Sequence, residues 1–396
     1  MSLAPELATR IDHTIDVNAE DIRELARRIH ANPELRFEEH QASEWLSAFL
    51  SRHGWSVERG IAGMPTAFRA RAGRGSGCRV AILAEYDALP GIGHACGHNL
   101  IAAGAVGAFV AAATILSDPA HGADGEVVIL GTPAEEGGGG KIEMIRSGTF
   151  DGIDAAMMFH PFDRDLTAHP TLASLWLTFA FKGRPSHAAL APHEGRSALT
   201  ACLDTFRLVD GQRVHFRDGV RVHGYITDGG QAVNIVPEHA GCEFSVRARD
   251  GDELARVRGV VERCARAAAM ASDVELTSSV RHGYRDMVNN LALARRFGAH
   301  LEALGRRPRE RDDAIGTGST DMGDVSHVVP AIHPWLAIVE KGGALCHEHR
   351  FAEAAASEAG LGTSLVAAKA LARTAIEFLT DPEVRQAVKA DWDRAR

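Results

Sequence analysis

Apolar residues Ile22, Leu25, Ala26 and Ile29 recur at intervals of three and four, the spacing that turns one stripe of a helix toward a core. The pattern predicts a helix over 21–31. Asn32-Pro33 ends it, because proline cannot continue the hydrogen-bond ladder and restricts the residue before it. A second amphipathic helix is expected over 38–53, with Trp45, Leu46, Phe49 and Leu50 on one face. Residues 66–72 and 79–84 read as strands, the second apolar enough to be buried on both faces. An almost wholly apolar, Ala/Gly-rich helix follows over 100–116, then another buried strand over 125–132. Strands alternating with helices predict a mostly parallel sheet covered on both sides.

The pattern changes near Leu172. A half-buried strand over 174–182 precedes a helix over 194–209, strands over 220–227 and 240–249, a helix over 253–270 and a strand over 273–280. That order, β-α-β-β-α-β, is the split ferredoxin-like unit, a complete domain by itself. Helical pattern resumes after Asn289, with a strand over 331–339 and a long Ala-rich helix over 362–379. The expected fold class is α/β, a mixed, mostly parallel sheet in a discontinuous domain of residues 1–172 and 289–396. A ferredoxin-like α+β domain is inserted at 173–288.

A chain of 396 residues is long enough for about two such domains. Its formal net charge of -9 argues against a duplex nucleic-acid partner, which favours basic surfaces. No run is read as long enough to span a bilayer and no signal peptide is read at the start, so no membrane partner is expected. The six cysteines include no Cys-x-x-Cys pair, which points away from a disulfide framework and toward a reducing cytoplasm. Several of the twenty histidines stand beside acidic residues or cysteine. That directs attention to metal chemistry.

Three segments each follow a predicted strand, where open α/β sheets bind ligands. In Glu85–Asn99, Cys96 and His98 offer a thiolate and an imidazole on a glycine-rich turn; a buried cysteine beside a helix-capping histidine is an equal alternative. Gly91-x-Gly93 is only a weak dinucleotide signal, since Pro90 separates it from the strand. In Gly131–Gly140, Glu135 and Glu136 end an apolar strand, so their side chains are expected to point in opposite directions. One could ligate a metal while the other faces the attacking water. Met157–Pro161 ends in His160, which alone is more often a satisfied core residue than a ligand. Near the end, Cys346-His347-Glu348-His349 adds two imidazoles. An extended chain would put both on one side, while a turn need deliver only one. Thiolate, imidazole and carboxylate together suit zinc, manganese, cobalt or nickel rather than calcium.

With these residues in place, the sequence resembles the metal-dependent amidohydrolases of peptidase family M-twenty, most closely the p-aminobenzoyl-glutamate hydrolase and Xaa-basic dipeptidase branch. The resemblance runs through His30–Glu39, Ala84–Pro90, His94–Asn99, Thr132–Glu136, Gly183–Ala189, Asn234–Glu238 and Gly318–Asp324. It implies two divalent ions, manganese or zinc foremost, bridged by Cys96 and completed by His98, Glu136, His160 and His347. His347 is preferred to His349 by its distance from Phe351. Glu135 is implied as general base, and His187 as a second catalytic group that reaches the partner subunit's site. Asn234 would bind substrate. Glu85 replaces a histidine found in other members, so Asp87 is expected to support the ligands without touching metal. The implied reaction is hydrolysis of the amide bond in a small N-acyl amino acid, an aminobenzoyl-glutamate-like conjugate or a dipeptide. A homodimer through 173–288 is implied as well. Three rivals stand beside it: hydrolytic deamination on the same site, a non-catalytic binding protein, and an oxidoreductase resting only on Gly91-x-Gly93. The presence of both Glu135 and His347 weighs against the binding protein.

Overall fold

The computed structural model describes residues 3–74, 77–118 and 124–395. They form two compact units. The first comprises the chain up to Pro170, Met287–Thr317 and everything from Asp321 onward; the second is Thr171–Asp286 with Gly318–Thr320.

The first unit carries a six-stranded sheet. In spatial order its strands are β1 (Val57–Arg59), β2 (Phe68–Arg74), β4 (Gly125–Gly131), β3 (Cys78–Ala84), β5 (Ala155–Met157) and β11 (Ala331–Ile332). β4, β3, β5 and β11 are mutually parallel, whereas β1 and β2 make an antiparallel edge. The central strands are apolar along their length because helices cover both faces. Helix α4 (His98–Ser117) packs against β3 and β4 on one side and α11 (Glu358–Thr380) on another, with α1 (Pro5–Val17) and α2 (Ala19–Ala31) also against it. At Gly104 an added Cβ would lie 2.9 Å from Phe159 and 3.0 Å from Ser364. Glycine is what permits that approach. α4 corrects one expectation: by length and composition it is apolar enough to cross a membrane. Yet 89% of its apolar window is buried inside the fold, as befits a helix that is hydrophobic all round.

The strand expected over 331–339 is two strands. β11 ends at Ile332, and β12 (Trp335–Ala337) pairs instead with β6 (His160–Phe162) in a separate parallel ribbon. Pro334 between them has no N–H to give the ladder. Two unforeseen helices frame the chain, α1 and α12 (Pro382–Ala395). Each opens on a proline and buries an i, i+4 pair, Ile11/Ile15 and Val384/Val388.

In the second unit, β7 (Ala173–Lys182), α6 (Ala198–Gln212), β8 (Arg221–Asp228), β9 (His239–Ala248), α7 (Gly251–Ala271) and β10 (Glu275–Tyr284) follow in the β-α-β-β-α-β order. The sheet is antiparallel, β10-β7-β9-β8. Leu175, Leu177, Phe179 and Phe181 alternate inward along β7 and meet Cys242, Phe244 and Val246 of β9. α6 begins at Ala198 rather than near Glu194, because the Ser197 side chain accepts from the Thr200 N–H, and that cap sets the helix start. β8 is an edge strand with Tyr225 and Ile226 exposed.

Candidate metal centre

The parallel strands carry the chain to one end of the first sheet. Glu85 follows β3, Glu135 and Glu136 follow β4, and His160 opens β6 after β5. Cys96 and His98 flank Gly97, whose φ of 73° turns the chain into α4. A Cβ on Gly97 would sit 2.8 Å from Pro161, so the position demands glycine for both backbone and space. His347 lies in a turn at φ 71°, and its N–H donates to the Ala95 carbonyl at 2.9 Å. His349 instead starts α10 (His349–Ala355) and is exposed. Of the two imidazoles the turn brings in one.

Three overlapping trios result. Cys96 joins His98 and His160; Cys96 joins Glu136 and His347; His98 joins Glu135 and Glu136. Within each trio the ligand atoms lie within 4.8 Å of one another. Atoms that share one ion at about 2.0–2.3 Å are at most about 4.6 Å apart, so the spacing suits a bound cation. Among the described residues the buried His98 Nε2 and Glu136 Oε1 have no hydrogen-bond partner, which buried polar atoms seldom lack unless a ligand supplies one. The expected opposition of Glu135 and Glu136 is not found. The strand ends at Gly131 and both glutamates sit in a turn after Ala134, at φ 62°. Strand alternation therefore does not apply, and both carboxylates approach His98.

The neighbours orient these side chains. His98 Nδ1 donates to Asp87 Oδ1 at 3.0 Å, and Asp87 Oδ2 accepts the Glu136 N–H at 2.8 Å. His160 Nδ1 donates to the Pro161 carbonyl at 2.7 Å. Both imidazoles in their neutral form thus keep the Nε2 lone pair for an ion. Burial opposes charge on Asp87, but His98 beside it holds its carboxyl below the ordinary value. Burial likewise disfavours a charged His98, and Asp87, Glu85 and Glu136 overcome it, raising its pKa well above the usual. His160 is pushed down to about 4 by burial and by His98. Glu135 is raised well above the ordinary range by burial, then by Glu85, Glu136 and Asp321. For Cys96 the contact with Cys346 comes first and burial second, both raising the thiol. This crowd of acidic groups favours a cation in its midst.

Further residues of the first unit surround this cluster. Lys141 Nζ is fully buried between Glu85 Oε1 at 2.5 Å and Asp321 Oδ1 at 2.7 Å. Glu85 Oε2 lies 3.5 Å from His98 Nε2. Glu39 is wholly enclosed and accepts the N–H groups of Phe37 at 2.8 Å and Ala134 at 2.9 Å. It thereby steadies two residues in the left-handed region, at φ 65° and 62°. His333 Nδ1 accepts from Trp335 Nε1 at 3.3 Å, and its ring centroid lies 5.4 Å from that of His160. A lysine directly after four glycines was the available signal for Lys141. His187 and Asn234 belong to the second unit, both exposed. There the Asn234 carbonyl accepts the Ala188 N–H at 3.0 Å, and His187 Nδ1 accepts the N–H groups of Ala189 and Leu190 at 3.2 and 3.1 Å.

The model of peptidase family M20/M25/M40 matches residues 81–370. The chain belongs to this family. It is a metal-dependent hydrolase acting on amide bonds. An Xaa-Arg dipeptidase of Mus musculus is 37% identical over 402 residues, covering 98% of this chain and 92% of that relative. One of the subunits of p-aminobenzoyl-glutamate hydrolase from Escherichia coli (strain K12) is 34% identical over 287 residues, 68% of this chain and 59% of the relative. In fold, the chain is similar to the YXEP protein of Bacillus subtilis, described as a dinuclear metal binding peptidase. The TM-score is 0.70 at 19% identity, covering 92% of this chain and 99% of that one.

Proposed function

We propose that this family member hydrolyses the amide bond of a small N-acyl amino acid, an aminobenzoyl-glutamate-like conjugate or a dipeptide, with two divalent ions held by Cys96, His98, Glu136, His160 and His347. The observation that carries the reading is the sharing of Cys96 and His98 among the trios: ligand sets that overlap at a thiolate suit neighbouring ions. The relatives' names support the substrate classes, and the dinuclear description of the B. subtilis protein supports two ions. Thiolate with imidazole and carboxylate fits zinc or manganese first, cobalt or nickel next.

Divalent ions at these residues would polarise the scissile carbonyl and lower the pKa of water. The chain's own groups do the rest. Glu135 takes the proton from the attacking water and passes it to the leaving nitrogen. Asp87 keeps His98 and Glu136 aimed. His187, with Nδ1 committed as an acceptor, has a proton on Nε2 to donate to the developing oxyanion. Asn234, on the segment paired with His187, binds substrate. The exposed edge of β8 needs a cover, and a homodimer through residues 173–288 supplies one and brings His187 to the partner's site. The scattered free cysteines support a reducing cytoplasm.

The test is product analysis across acyl amino acids, aminobenzoyl-glutamate and dipeptides, with chelator and with added Mn²⁺, Zn²⁺ or Co²⁺. Free amino acid should appear, vanish on chelation and return with metal. Ammonia in its place would make the reaction a deamination.

A further inference from the structure

Cys346 stands immediately before His347, and the reaction above does not use it. Because the His347 N–H is bonded to the Ala95 carbonyl at 2.9 Å, the Cys346–His347 segment lies along Ala95–Cys96. The His347 imidazole and the Cys96 sulfur share a trio whose ligand atoms fall within 4.8 Å. The backbone bond from His347 to Ala95 sets the peptide joining Cys346 to His347 against the one joining Ala95 to Cys96, so the two cysteines are neighbours across it. Both are free cysteines; Cys96 is buried and Cys346 partly exposed. Residues 344–348 lie outside helix and strand, so a small shift there breaks no ladder. Cys202 and Cys242 share the core of the second unit, where both are buried away from solvent oxidant.

We propose that Cys96 and Cys346 are a modification site, forming a reversible disulfide under peroxide that removes Cys96 from the metal centre. The consequence for metal rests on the proposed role of Cys96 as a ligand; the disulfide itself does not. Hydrogen peroxide reaches the more exposed Cys346 and oxidises its thiol to a sulfenic acid, releasing one water. The Cys96 sulfur then attacks the Cys346 sulfur. The S–S bond forms as the S–O bond breaks, and the sulfenic hydroxyl leaves with the thiol proton as a second water. Two thiols and one peroxide thus give one disulfide and two waters; two electrons pass from sulfur to peroxide. A dithiol reverses the bond by exchange. In the disulfide Cys96 has no thiolate left to offer an ion.

The full-length protein, metal-free and zinc-loaded, is treated with hydrogen peroxide, blocked at free thiols and digested without reduction. Mass spectrometry should find the peptides of Cys96 and Cys346 joined and two hydrogens lighter. Elemental analysis should show metal retention weakened by about tenfold or more, the scale of losing support at a metal site. Dithiothreitol should reverse both. Cys346→Ser should give no joined peptide and keep both metal and hydrolysis through the same treatment. Absence of the joined peptide from the metal-free protein overturns the proposal, as does a joined protein that keeps its metal. Untreated protein that binds no ion, yet forms the joined peptide, contradicts the metal reading and leaves the disulfide standing.

Discussion

In the first unit, His98, Glu85, Lys141 and Asp321 are fully enclosed, and each is held by another charged side chain. In the second, His187 and Asn234 stand exposed, and His187 is held by two backbone N–H groups. The contrast separates two kinds of candidate residue. An enclosed charge is part of the fold, so removing its partner strands it in low dielectric. An exposed imidazole contributes little to folding, and its loss should register in chemistry alone. Substitutions in both units can break or sharpen that division.

The largest effect is expected at Glu135. Glu135→Gln keeps shape and hydrogen-bonding capacity but cannot accept a proton, so kcat should fall about 10³–10⁴-fold while metal content stays at the wild-type level. Steady-state kinetics beside elemental analysis checks this; activity within about tenfold would remove Glu135 from the base role. Next comes Lys141→Met, which leaves Glu85 and Asp321 buried without their ammonium. Breaking a buried pair costs about 3–5 kcal/mol, read as a lowered denaturation midpoint. An unchanged midpoint would show that the enclosed charges are not structural.

His187→Ala should cost about 10²–10³ in kcat, the scale of one lost oxyanion donor, with no change in denaturation midpoint. Mixed with Glu135→Gln under conditions that let protomers exchange, it should regain activity, because one site of each mixed dimer then has both wild-type groups. Mixed dimers confirmed by mass spectrometry that stay inactive would place His187 in its own chain's site or outside the reaction.

The smallest effect is a pH dependence at Glu377, which accepts from Arg296 Nε and faces His300 Nε2, each at 2.9 Å. Burial opposes its charge, but hydrogen bonds from His300 and Arg296 outweigh that and bring its pKa from 4.5 to about 2. A depressed carboxylate stabilises the fold fully above its unfolded value, and that contribution is lost as pH falls through the folded one. Glu377→Gln should therefore be less stable than wild type by on the order of 1 kcal/mol near neutrality, after solvent screening. The gap should close as pH falls from about 4.5 toward about 2. A gap that persists unchanged at low pH would assign the effect to packing.

The two units also differ in how far their residues could be read in the chain. Alternation along β7 and the periodic apolar faces of α6 and α7 are local patterns, visible wherever a single face meets a core. The residues of the trios were visible because thiolate, imidazole and carboxylate each followed an apolar run. What escaped was set by contacts distant in sequence. Pro334 signalled the break between β11 and β12, but the switch of β12 to β6 depends on a partner 175 residues earlier, Trp335 against His160. Lys141 has no partner close in sequence to mark it; its buried place is set by Glu85 and Asp321. Glu39 and Asp321 lay within recognised motifs, yet their roles come from the N–H groups of Ala134 and Lys141 that they accept. The turn at Ala134, which brings Glu135 and Glu136 to the same side, needs a positive φ that an alanine does not announce.

Cys96, common to two of the trios, is the residue on which the metal reading turns. The most direct measurement is the metal stoichiometry of the wild-type chain and of Cys96→Ser, each dialysed against Zn²⁺ or Mn²⁺ and then metal-free buffer. A hydroxyl is a far poorer ligand than a thiolate at neutral pH. The wild type should retain two ions per chain, and Cys96→Ser should lose them without unfolding. A wild-type chain that holds no ion after dialysis, yet still cleaves its amide substrate, would contradict the account.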